Sequence, residues 1–98
     1  MDALQRYRLM DAGIKAINAA LTREAGKRLG RSFEQWSAAE AQVVWAATRD
    51  FAQQHGLRVP TLGEVVRVER LASGHSDYAS KWALYAIELT FVDEPVVA

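Results

Sequence analysis

Residues 74–81 contain side chains that also occur in the active sites of hydrolases. Ser80 could act as a nucleophile, His75 as its general base, and Asp77 as the group that orients the histidine. This chemistry requires the three side chains to form one hydrogen-bonded chain. His75 precedes the helix that would carry the other two, and no GxSxG turn surrounds Ser80. We therefore predict that no residue in this segment is catalytic.

A connection between two helices accounts for the same residues. Gly74 is a typical residue after the end of a helix, and Ser76 or Asp77 is a typical cap at the start of the next. Asp77 and Lys81 are four residues apart and could form a weak surface ion pair. We therefore interpret these side chains as a polar join between helices: His75, Ser76, Asp77 and Lys81.

A metal site is not indicated either. The chain has two histidines, His55 and His75, and no cysteine. It contains no HExxH motif, no CxxC pair and no EF-hand loop. We expect no metal ligand, no cofactor and no enzymatic activity.

Basic side chains are concentrated near the N-terminus. Residues 1–31 hold seven basic and three acidic side chains, although the whole chain has a formal net charge of zero. A cluster within residues 22–31 could bind phosphates: Arg23, Lys27, Arg28 and Arg31. A solvated helix end with cations in its last turn accounts for the same cluster. Nucleic-acid binding therefore stays as the alternative function.

The elements that carry these side chains are predicted to be four helices. Apolar residues recur every three or four positions, and capping residues precede the second and third segments, at Ser37 and Thr61. Glycines mark helix ends, including Gly30 after the first segment and Gly56, followed by Leu57, after the second. We predict a single all-α domain over residues 1–98, an irregular four-helix bundle with helices at about 3–29, 38–55, 62–73 and 77–91.

The fourth predicted helix is unusually apolar. The run WALYAIELTFV, from residue 82 to residue 92, contains only Glu88 and Thr90 as polar residues. A helix that is apolar on every side is either a central core helix or carries an exposed contact surface. We take the following as candidates for a partner or oligomer interface: Trp82, Leu84, Tyr85, Ile87 and Phe91.

Residues 74–89 follow the pattern GHxDYxxKWxLYxxEL. This pattern resembles a segment that recurs in small, mostly uncharacterised proteins of phages and prophages, and the resemblance covers about the last forty residues. It implies a phage-encoded accessory protein that acts inside a bacterium. Such proteins commonly bind a host or viral protein.

We therefore expect a non-enzymatic protein–protein interaction protein that inhibits or redirects a partner, and that associates with itself as a homodimer. No stretch reaches the ~20 apolar residues of a membrane span. We expect no membrane association and a location in the cytoplasm of a bacterial host.

Overall fold

Four α-helices and one short 3₁₀ helix make up the described part of the chain. The computed structural model describes residues 2–26 and 37–92. The helices are α1 (Ala3–Ala25), α2 (Ala38–Gln54), α3 (Leu62–Ala72) and α4 (Tyr78–Glu88), and the 3₁₀ helix Leu89–Phe91 follows directly. The prediction of an all-α four-helix bundle is confirmed, and the described residues contain no strand.

Local capping sets most of the helix ends. The side-chain oxygen of Ser37 accepts from the Glu40 N–H at the start of α2. At the end of α2, Gly56 has a φ of +65°, and the Leu57 N–H donates to the Ala52 carbonyl at 2.8 Å. This is the glycine-terminated ending that the sequence predicts.

The end of α1 differs from the prediction. The sequence indicates a helix to about residue 29 with Gly30 after it, but α1 ends at Ala25. Gly26 adopts a left-handed conformation with a φ of +69°, and its N–H donates to the Leu21 carbonyl. Because glycine takes this conformation without steric cost, the helix ends at Gly26 and does not continue to residue 29. Gly30 lies outside the described residues.

The two ends of α4 also differ in detail from the prediction. Asp77 occupies the N-cap position, but its side chain makes no capping hydrogen bond. The α-helix stops at Glu88, and a 3₁₀ helix continues to Phe91. Carbonyl oxygens at this end accept hydrogen bonds from Arg58. Its side chain donates to the Leu89 carbonyl at 3.0 Å, and its backbone N–H donates to the Thr90 carbonyl at 3.2 Å.

The core lies around α4, which contacts the other three helices. The largest core side chains come from all four helices and include Ile17, Leu21, Val44, Phe51, Val65, Trp82 and Ile87. Two indole N–H groups bond to backbone carbonyls across the bundle, Trp45 to Pro60 and Trp82 to Val65, both at 2.9 Å. The bond from Trp82 to Val65 therefore helps to fix which side of α4 faces α3.

Thr61→Ala is expected to lower the free energy of unfolding by about 1 kcal/mol. The Thr61 hydroxyl accepts from the Glu64 N–H at 3.1 Å, and the Glu64 carboxylate accepts from the Thr61 N–H at 2.9 Å. The substitution removes the first of these two bonds. Urea unfolding followed by circular dichroism measures the loss, and Thr61→Ser, which keeps the hydroxyl, serves as the control. Equal stabilities of the two variants would contradict this role for Thr61.

Candidate interaction surface

The residues of α4 divide into two sides. Six residues of the helix are buried: Tyr78, Ala79, Trp82, Ala83, Ala86 and Ile87. Their spacing of one, three, one, three and one residues follows a single side of an α-helix. The opposite side is only partly covered, and it carries Ser80, Lys81, Leu84, Tyr85 and Glu88.

Burial corrects part of the predicted interface. Trp82 is 2% exposed and Ile87 is 0% exposed, and both belong to the core. A partner cannot reach these two side chains in the folded protein. The reason is that α1, α2 and α3 all pack against α4, so the side of the helix that carries Trp82 and Ile87 is covered inside the domain.

The predicted interface residues Leu84 and Tyr85 lie on the partly exposed side. Tyr85 packs against the core cluster, whereas Leu84 belongs neither to that cluster nor to the apolar residues packed against it. Lys81 and Glu88 lie on the same side, one turn before and one turn after this pair. We call Lys81, Leu84, Tyr85 and Glu88 the outer strip of α4.

Phe91 has a contact within the chain. Its ring lies 5.1 Å from the guanidinium carbon of Arg6, on the first turn of α1, and its side chain packs partly against the core. This distance is within the range of a cation–π contact. Phe91, at the end of the 3₁₀ helix, therefore contacts the start of α1.

Lys81, the last residue of the polar join between α3 and α4, is half-buried. His75, Ser76 and Asp77 are exposed, and the His75 N–H donates to the Ala72 carbonyl at 3.1 Å. Within the described residues, no hydrogen bond connects the His75 and Asp77 side chains, and no ion pair connects Asp77 to Lys81. The same part of the chain contains no group of three His, Cys, Asp or Glu side chains that could hold a metal ion.

Of the predicted phosphate-binding residues, the structure describes only Arg23. This side chain is exposed, and its Nη2 atom lies 4.0 Å from a Glu24 carboxylate oxygen. Lys27, Arg28 and Arg31 lie outside the described residues. Nucleic-acid binding by this cluster stays a prediction, and the arrangement of Arg23 beside an acid adds nothing in its favour.

Arg58 and Glu64 form a buried ion pair that the sequence pattern does not predict. Arg58 Nη2 donates to Glu64 Oε2, with side-chain exposures of 18% and 8%. The capping pattern at Thr61 gives no indication of this ion pair. The sequence signal for it is a single arginine in the otherwise apolar segment from Leu57 to Pro60. The pair joins the α2–α3 connector to α3 and the end of α4, so its role is structural.

Two grooves lie away from the outer strip. One, of about 340 Å³, runs between α1 and α2 and is lined by five alanines together with larger side chains, several of them polar, such as Arg23, Asp50 and His55. The other, of about 370 Å³, lies between Arg6, Arg58 and Phe91. Both arginines already have partners inside the chain, Phe91 and Glu64 respectively.

Comparison with family models, curated proteins and solved structures gave no match to this chain. Among the described residues, none of the helices combines the length and the apolar character that crossing a bilayer requires.

Proposed function

We propose that this chain is a small non-enzymatic protein–protein interaction protein, and that the outer strip of α4 is its contact surface. The resemblance of residues 74–89 to phage and prophage proteins supports a phage-encoded accessory or inhibitory role. The observation that carries the proposal is the position of Leu84. It is a large, only partly buried aliphatic side chain in the middle of the central helix, and among the described residues it is not part of the core cluster.

The composition of the strip favours a protein partner. Leu84 and Tyr85 supply an apolar centre, and Lys81 and Glu88 supply charges of opposite sign at its two ends. Protein interfaces have this organisation, with an apolar or aromatic centre and a polar rim. The strip is also rigid, because the opposite side of the same helix is anchored in the core by Trp82 and Ile87.

Other apolar side chains are more exposed, and they allow a matched control. Leu4, Tyr7 and Leu71 are 56%, 70% and 60% exposed. Isolated exposed apolar residues are normal on protein surfaces. Leu71 lies near the end of α3, between Arg70 and Ala72, and we expect it to be an ordinary surface residue.

Leu84→Asp is expected to abolish partner binding and to change the free energy of unfolding by less than about 1 kcal/mol, since Leu84 lies outside the core. The wild-type protein, Leu84→Asp and Leu71→Asp are immobilised and exposed to bacterial lysate, and bound proteins are identified by mass spectrometry. A protein retained by the wild type and Leu71→Asp but lost by Leu84→Asp supports the proposal. Identical retention by all three, together with unchanged self-association of Leu84→Asp, would refute it.

A further inference from the structure

We propose that the outer strip of α4 binds a second copy of this chain, with the two α4 helices antiparallel across a two-fold axis. This inference rests on the proposed function, because it assigns an occupant to the same surface. It is carried by the order of the side chains along the strip: a cation, two apolar residues and an anion.

The two charges are placed symmetrically. Lys81 and Glu88 are each the same number of residues from the midpoint between Leu84 and Tyr85. With a rise of about 1.5 Å per residue, each Cα atom lies about 5 Å along the helix from that midpoint. A two-fold axis through this midpoint, perpendicular to α4, would bring each Lys81 opposite the partner's Glu88, twice in one interface. Such a self-complementary patch is what a symmetric dimer requires.

The charges also select the direction of packing. In a parallel pair, Lys81 would lie opposite the partner's Lys81, and Glu88 opposite the partner's Glu88. Both contacts would then join like charges, which disfavours that arrangement. In the antiparallel pair, both contacts join opposite charges, and Leu84 and Tyr85 meet the same two residues of the other copy.

Both charged residues are available for these contacts. Within the described residues, neither Lys81 nor Glu88 forms an ion pair or a side-chain hydrogen bond. Arg58 and Glu64, by contrast, are committed to each other inside the fold. The strip alone is smaller than the ~800 Å² per partner of a standard interface, so we expect a weak dimer.

Sedimentation velocity over about 5 to 500 μM tests the dimer, because this range brackets a dissociation constant of about 50 μM. Lys81→Glu and Glu88→Lys are each expected to weaken dimerisation by about tenfold or more, since each places like charges opposite one another twice. The double variant Lys81→Glu/Glu88→Lys restores both opposite-charge contacts and should dimerise like the wild type. An equimolar mixture of the two single variants should form a heterodimer.

Arg67→Glu is the control, because Arg67 is exposed on α3 and lies outside the strip. It should leave the dissociation constant unchanged, and thermal unfolding monitors the folding of every variant. The double variant keeps the test decisive if either single variant fails to fold. A wild-type protein that stays monomeric across the range, or a dimer indifferent to the reversals, overturns this inference. The proposed function still stands if such a monomer captures another protein in a manner that depends on Leu84.

Discussion

Replacing Arg58 with methionine is expected to lower the free energy of unfolding by about 3 kcal/mol, because the substitution removes the Arg58 guanidinium from the buried Glu64 carboxylate. The Glu64 side chain is 8% exposed, and the Thr61 N–H that also donates to it, at 2.9 Å, carries no full charge. The same substitution removes the Arg58 side-chain bond to the Leu89 carbonyl, which has a length of 3.0 Å. Chemical denaturation at neutral pH measures the loss.

Two control variants separate the buried charge from general effects of arginine. Arg58→Met/Glu64→Gln removes both charges, so it should be more stable than Arg58→Met alone. Lys15→Met breaks the exposed pair between Lys15 and Asp11, whose side chains are 76% and 48% exposed. This change should alter the free energy of unfolding by no more than about 0.5 kcal/mol. A loss from Arg58→Met as small as that from Lys15→Met would show that the buried pair has little influence on stability.

Gly13→Ala is expected to lower the free energy of unfolding by about 1–2 kcal/mol, although alanine is the better helix former by about 1 kcal/mol. A Cβ atom at residue 13 would lie 2.6 Å from Ile87 Cδ1 and 3.0 Å from Ile87 Cγ1. Ile87 is fully buried, so it has little space into which to move. Thermal or urea unfolding measures the change.

The matched control for Gly13→Ala is Gly63→Ala, on the exposed surface of α3. A Cβ atom at residue 63 would meet only the Thr61 hydroxyl, at 3.8 Å, so this change should leave stability unchanged or raise it by up to about 1 kcal/mol. A second test uses Ile87→Val, which removes the Cδ1 atom. In that background the cost of Gly13→Ala should fall by about 1 kcal/mol, as a double-mutant cycle would measure. Additive effects would contradict the predicted contact.

The parts of the fold that depend only on residues close together in the sequence could be predicted. Ser37 and Thr61 are N-caps as predicted, and Gly56 and Leu57 end α2 as predicted. These features require only a few consecutive residues, because a cap satisfies the orphan backbone groups of its own helix. The end of α1 was harder to predict, since both Gly26 and Gly30 are possible ends and the choice between them is not visible in the local pattern.

The candidate site could be predicted only in part, because the burial of its residues depends on how separate helices pack. The run from Trp82 to Val92 identifies α4 as the helix of interest, and Leu84 and Tyr85 lie on its partly exposed side. Trp82 and Ile87 were assigned to the same surface, and they are in the core. When a helix has apolar residues on both sides, its sequence does not show which side the other helices will cover. That depends on where the other helices lie.

By itself, the sequence determined that this chain forms four α-helices, where three of them begin, and that the fourth is too apolar to be an ordinary surface helix. These outcomes follow from the periodicity and capping chemistry of short segments. Only the tertiary structure decided that Ile87 faces α1 and that Leu84 lies on the partly exposed side of α4. It also decided that Gly13, a weak point in an isolated helix, permits the close contact with α4, and that Arg58 meets Glu64. The physical reason is that each of these outcomes depends on the distance between separate segments, which packing of the core alone sets.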